Sequence, residues 1–234
     1  MQINEKALRN YLKSKSLDMA IFDEIKALTD PTIAELAEIV RSGKARERFD
    51  IRDTVTLCGI EFVIIGFDHD KDVSTPDRPS ITLMGKTLLP AHRYHGGACE
   101  RGWIDSELRD WLNGEILNQL PDELQQHIRR VEKVTHNYKG EAFKTIDRLF
   151  IPSESELFGS AIWSDYEDGA RYEAFTNCDA RVRVDSEGDA DWYWNRSALG
   201  GNSTNFCCVG TNGGAGVADA TDTTIRAPLC FLFA

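Results

Sequence analysis

Apolar spacing divides the chain into three regimes. Over residues 1–48 the period is helical: Ala7, Leu8, Tyr11 and Leu12 repeat at three- and four-residue intervals, and so do Ile33, Leu36, Ala37 and Val40. Asp30-Pro31 predicts the start of the second helix, with Asp30 as cap and Pro31 in its first turn, and Ser42-Gly43 predicts its end. The charged run Lys44-Ala45-Arg46-Glu47-Arg48 reads as a linker.

From Asp53 onward the pattern turns β-like. Thr54 to Leu57 and Glu61 to Phe67 are β-branched and apolar around Cys58-Gly59, which predicts a hairpin. Ser80 to Leu83 predicts another strand. Ser106 to Leu117 and Pro121 to Val131 each carry apolar residues on one side and predict helices. Arg148 to Pro152 reads as a short strand. Beyond it glycine, asparagine, serine and threonine separate short apolar anchors, and Ile225 to Phe233 reads as a buried closing strand. The expected class is α+β, with a helical segment at 1–48 and a mixed domain over 51–234.

Charge narrows the functions. With 38 acidic against 27 basic residues the formal net charge is −11, which argues against a general nucleic-acid binder. No apolar run approaches the roughly 18 residues that span a bilayer, and Met1 to Lys6 lacks a signal peptide's apolar stretch. Synthesis in the cytoplasm without membrane insertion is expected, the final location being open and virion association one option. The six cysteines form no CxxC pair, so free buried thiols are expected in preference to disulfides. Asp68, Asp70, Asp72 and Asp77 share a polar loop that lacks the glycine and closing glutamate of a calcium loop, and a solvated turn is expected. His92 and His95 have metal-like spacing without a nearby acidic or thiol partner, and read as a surface loop. No phosphate-cradling glycine loop or nucleophile elbow appears. No cofactor, metal or catalytic residue is expected.

Several landmarks occur in a definite order: Gly102-Trp103-Ile104-Asp105 leading into Trp111-Leu112-Asn113-Gly114-Glu115, then Leu149-Phe150-Ile151-Pro152-Ser153-Glu154, Trp194-Asn195-Arg196-Ser197, Phe206-Cys207-Cys208-Val209, Gly213-Gly214 and Ile225-Arg226-Ala227-Pro228. In this order residues 51–234 resemble a bacterial and prophage domain family related to the C-type-lectin-like fold of formylglycine-generating enzyme. Many of its members resemble variable target proteins of diversity-generating retroelements. The resemblance implies a C-type-lectin-like fold whose C-terminal loops, about residues 192–224, bind a protein or glycan ligand. Family members usually show Trp-Leu-Arg-Ser where this chain has Trp194-Asn195-Arg196-Ser197, and Arg-Pro where it has Arg226-Ala227-Pro228.

Such retroelements mutate template adenines, so asparagine codons scatter to codons ending in a pyrimidine. These cannot encode Lys, Glu, Gln, Met or Trp. None of the five types occurs from Asn195 to Ala234, whereas they fill about one position in five before it. Glycine-rich β-loops also avoid long side chains, which is the structural alternative. A display protein must alternate fixed anchors with free positions. Trp192, Trp194, Phe206, Val209, Ile225 and Leu229 are the expected inward anchors. Tyr193, Asn195, Asn202, Ser203, Asn205, Thr211, Asn212, Asp219, Thr221 and Asp222 are the expected ligand-binding set, a composition like that of antibody paratopes. Arg196 and Arg226 are expected to tie loops through carbonyls or carboxylates.

Two other readings remain. One is a non-diversified prophage structural or tail-associated protein that self-associates through the N-terminal helices. The other is an oxidase relic of the formylglycine type. It needs a pair of cysteines, and the adjacent Cys207 and Cys208 would face opposite sides of a strand.

Overall fold

The structure is a computed structural model that describes residues 30–234; the helix expected around Ala7 to Leu12 lies outside the described residues. The first described helix, α1 (Ile33–Arg41), buries Ile33, Leu36, Ala37 and Val40, the stripe its spacing predicted. Its cap is Thr32 rather than Asp30. The Thr32 hydroxyl accepts from the Glu35 amide while the Glu35 carboxylate accepts from the Thr32 amide. The expected linker instead folds into a helical turn, α2 (Ala45–Arg48), which buries Ala45. Both helices join the same core as the strands that follow.

The strands β1 (Thr54–Leu57) and β2 (Ile60–Phe67) form the expected hairpin. Its two loop residues, Cys58 and Gly59, both have positive φ, which matches the right-handed strand twist. β3 (Ile81–Gly85) pairs antiparallel with β2. A 3-10 turn at Gly102–Asp105 leads into α3 (Glu107–Trp111), a π-helical turn at Leu112–Ile116, and α4 (Leu117–Gln119). The helix expected from Pro121 to Val131 stops early. Only α5 (Asp122–Gln125) is helical; β4 (Ile128–Arg129) and β5 (Val131–His136) follow at once. Val131, Lys133 and Thr135 alternate with exposed residues, and this period of two overrides the apolar pair Leu124 and Ile128. β5 pairs with β6 (Ala142–Asp147) in a separate two-stranded ribbon.

The strand expected at 148–152 is only an isolated bridge from Phe150 to Cys230. Two short helices follow, α6 (Glu154–Phe158) and α7 (Cys178–Arg181). Then come β7 (Tyr193–Ala198), β8 (Asn205–Val209) and β9 (Ala215–Asp219), a three-stranded antiparallel sheet in sequence order. The closing strand β10 (Cys230–Phe233) is buried at every residue and inserts between β3 and β4. The last residues of the chain thus complete the five-stranded sheet β1-β2-β3-β10-β4 begun by the first strands. The class is mixed α+β. No helix among the described residues is long and apolar enough to cross a membrane.

Candidate functional site

The three-stranded sheet decides where the expected ligand-binding residues go. β7 and β8 run in opposite directions, so Ala198, Asn205 and Asp219 lie at one end of the sheet, and Tyr193, Val209 and Ala215 at the other. Asn202, Ser203 and Asn205 gather at the first end with Asp219, Thr221 and Asp222. The two loops that carry them are joined there by the Ala220 amide, which donates to the Thr204 carbonyl at 2.7 Å. Thr211 and Asn212 sit in the turn at the opposite end. The five residues of β8 separate the two ends by about 16 Å at about 3.3 Å per residue.

Two members of the set are not displayed at all. Tyr193 and Asn195 are 0% exposed. β7 is covered on both faces, so its alternation does not produce a solvated side. The Tyr193 hydroxyl donates to the Arg181 carbonyl at 2.7 Å beneath α7. Conversely Trp192, an expected inward anchor, is 42% exposed. It lies over Gly210, just after β8, and Gly216 of β9: a side chain on Gly216 would come within 2.7 Å of its ring. Trp194, Phe206, Val209, Ile225 and Leu229 are buried as expected. Tyr94 stacks on Phe206 with ring centroids 3.7 Å apart and meets Trp194 edge-on at 5.6 Å. The histidine loop is therefore pinned by its middle residue, while His92 stacks on Trp111.

The exposed loops hold their own shape. Asn202 Oδ1 accepts from the amide and hydroxyl of Thr204, Asp219 Oδ1 from those of Thr221, and Asp222 Oδ1 from those of Thr224. These side-chain turns fix the backbone locally. Ser203 and Thr221 do not form the bond that defines such a turn as acceptors. The Cys99 amide donates to the Ser203 carbonyl and the His95 amide to the Ala220 carbonyl, which fastens the loops to the scaffold.

Beneath this sheet lies a buried ionic network that sequence reading missed apart from Arg196. The Arg196 guanidinium grips the Glu156 carboxylate through Nη1 and, at 3.2 Å, through Nη2. It also donates to the carbonyls of Ile151 and Asp168 and to the Thr135 hydroxyl. Lys133 Nζ donates to Glu156 at 2.9 Å, to Asp70 at 2.6 Å and to the Tyr172 hydroxyl at 3.0 Å. Asp70 Oδ2 accepts from Thr82 and Tyr172. Asp70 is thus buried rather than part of a solvated turn, while Asp68 and Asp72 accept from nearby backbone amides. Burial works against ionisation of Glu156, but Arg196 and Lys133 outweigh it and hold its carboxyl well below the usual range. Burial raises the Asp168 carboxyl although His136 Nδ1 lies 2.7 Å away.

A shallow cleft of about 360 Å³ opens onto this network, lined by His69, Asp70, Lys133, Glu156, Asp168 and Arg196 among others. His69, Asp70 and Glu156 offer atoms within 4.8 Å of one another, a grouping with metal-like geometry. Lys133 already supplies the cation between the two carboxylates, and their oxygens are taken up by Thr82, Tyr172, Ser153 and Arg196. The arrangement ties four segments of chain together. Arg226 ties others, donating to Asp191 at 2.6 Å and to Asp185 at 3.4 Å.

All six cysteines are free; Cys58 and Cys178 are exposed, and the other four are buried. Burial pushes the Cys208 thiol up to about 12 and raises Cys207 and Cys230 as well.

A family described as a domain of unknown function, DUF6273, matches residues 80–232, more than half of the 234-residue chain. The chain belongs to this family. The DUF6273 match begins just before β3, so β1 and β2 lie outside it although they extend the same sheet. It contains the whole three-stranded sheet, its loops and the Lys133–Glu156–Arg196 part of the network. A comparison with curated proteins finds no match, and a comparison with solved structures finds none.

Proposed function

We propose that this DUF6273 protein is a ligand-binding display protein, built on a C-type-lectin-like scaffold, whose ligand meets the loops at the β7–β8 turn and beyond β9. The observation that carries this reading is the convergence of Asn202, Ser203, Asn205, Asp219, Thr221 and Asp222 at one end of a sheet whose interior is fully packed. A rigid frame under small, exchangeable polar side chains suits a surface that changes while the fold stays constant. The sheet arrangement supports the scaffold assignment: the first and last strands share one sheet, and the loop-bearing strands form a second, smaller one.

Diversification of the gene is part of this reading. Its support is the absence of Lys, Glu, Gln, Met and Trp from Asn195 to Ala234. The self-capping turns at Asn202, Asp219 and Asp222 account for part of that composition by themselves, and Ser203, Asn205 and Thr221 are the neighbouring members of the set whose side chains do not accept the turn-defining amide bond. The burial of Tyr193 and Asn195 narrows the variable surface to the loops. The ligand is a protein or a glycan.

The high thiol pKa values disfavour cysteine oxidation chemistry at Cys207 or Cys208. Sequencing the flanking DNA tests diversification: a reverse transcriptase and a near-repeat of the gene's last stretch are expected. Finding neither would remove the diversified reading. Binding is tested by replacing Ser203, Asn205 and Thr221 together with alanine and screening both proteins on glycan and protein arrays. Ligands captured by the parent and lost by the variant are expected; identical profiles would overturn the placement.

A further inference from the structure

The acidic surface carries a cleft of the opposite sign among the described residues. It is about 380 Å³ in volume and is lined by Arg78, Arg129, Arg130 and Arg148, with Asp72, Ser74, Thr75 and Ile128 completing the wall. Four arginines face a single carboxylate in a chain with 38 acidic residues. That carboxylate is already engaged: Asp72 accepts from the Ser74 amide and, at 2.7 Å, from the Thr75 hydroxyl.

None of the four guanidiniums pairs with an Asp or Glu carboxylate among the described residues. Arg129 donates Nε and Nη2 to the main-chain oxygen of Ala234, Arg148 donates Nη2 to the Gln125 carbonyl, and Arg130 donates to the Ser74 hydroxyl. The Arg78 amide donates to the Thr75 carbonyl at 3.1 Å, and its guanidinium makes no hydrogen bond or ion pair among the described residues. Arginine stays protonated in proteins and carries five N–H donors, so each has donors left over. Burial and the neighbouring Arg129 charge both work against the charged form of Arg148. Like charges held together in this way lower stability, and an anion would relieve them.

We propose that this cleft binds the tetrahedral oxyanion of a phosphate or sulfate monoester. Planar guanidiniums recognise such oxygens through paired, charge-assisted hydrogen bonds. The Ser74 and Thr75 hydroxyls supply further polar contacts beside them. The cleft holds a single headgroup and lacks the extended basic stripe that tracks a nucleic-acid backbone. It shares no residue with the loops assigned above to ligand display, and stands or falls independently of them.

Calorimetric titration of the full chain with inorganic phosphate, inorganic sulfate, phosphoserine and a sulfated monosaccharide, each against chloride, tests the proposal. Saturable millimolar or tighter binding is expected, and the phosphate and sulfate arms identify which ester is preferred. Arg78→Gln combined with Arg130→Gln should weaken it by at least about tenfold. The unpaired Arg78 guanidinium and exposed Arg130 make this pair tolerant of substitution, and circular dichroism checks the fold. Arg148→Gln alone should act in the same direction. Lys86→Gln, which removes a charge paired with Glu61 elsewhere, should leave binding unchanged. No saturable binding by the parent, equal binding by the double variant, or a loss of the same size in Lys86→Gln would overturn the proposal. Preference for an oligonucleotide over every monoester would overturn it too.

Discussion

Arg196 on β7 and Glu156 on α6 face each other through two guanidinium–carboxylate contacts, with both side chains buried. This pair joins the three-stranded sheet to the segment that precedes it. A third charge, Lys133 from β5, shares the Glu156 carboxylate and passes the link on to Asp70 beside β3. The loops that we assign to ligand display therefore rest on a cross-braced base rather than on local turns alone.

Removing one partner leaves the other charged and buried. Arg196→Met should cost about 3–5 kcal/mol of stability, measured by urea denaturation. Pairing it with Glu156→Leu should give a smaller loss than the two single changes summed, because the stranded charges go together. A strictly additive double variant would show that the two side chains are not coupled.

The acid limb of stability should depend on Glu156. Its folded value lies below the ordinary 4.5, so the unfolded chain takes up the proton first as pH falls. The stabilisation is complete above about pH 4.5 and is lost as pH drops through the folded value. Asp168 acts in the opposite sense: burial raises it above 3.8, so its contribution is present when protonated and is lost as pH rises through its folded value. The stability difference between the parent and Glu156→Gln should therefore shrink from pH 6 to pH 3 in denaturation curves. A constant difference would contradict the assignment.

Positions along the C-terminal tract should divide sharply in tolerance. Alanine at Ser203 or Thr221 should change stability by no more than about 0.5 kcal/mol. Alanine at Asn202 or Asp219, which cap turns, should cost about 1 kcal/mol. Tyr193→Ala should cost about 3–5 kcal/mol, since it empties a fully buried aromatic site and orphans the Arg181 carbonyl. Thermal melts of the five variants give the comparison, and a tolerant Tyr193→Ala would place that residue on the surface after all.

Thiol labelling should show two classes. Cys58 and Cys178 should react with a chromogenic disulfide reagent in the native state at pH 8, while Cys99, Cys207, Cys208 and Cys230 should react only on unfolding. Fast native labelling of Cys207 or Cys208 would reopen the case for thiol chemistry in this sheet.

Local patterns were readable wherever one face of an element meets the core and the other meets water. The stripe of α1, the Cys58-Gly59 hairpin and the buried closing strand all follow from spacing and turn chemistry. The turn-rich composition of residues 199–224 likewise announced loops. Reading failed where both sides of a strand are covered. Alternation along β7 suggested that Tyr193 and Asn195 point outward, but a second layer of chain buries that side as well. Pro121 to Val131 failed for a related reason: two apolar residues mimicked a helical period, while pairing of β4 with β10 and of β5 with β6 required extended chain.

The sequence by itself determined the α+β class, the acidic surface and a C-terminal tract of small polar residues between apolar anchors. Only the tertiary structure decided which of those residues share a surface and which charges meet. Lys133 reaches Asp70 across 63 positions and Arg196 reaches Glu156 across 40. Periodicity reports the environment within a turn or a strand. The pairing of distant charges depends on how sheets stack, because desolvation makes each buried ion depend on a partner that chain proximity does not supply. The arginine cleft belongs to the same class of feature, since residues 78, 129–130 and 148 are distant in sequence and share one cleft in the fold, where β4 pairs with β10.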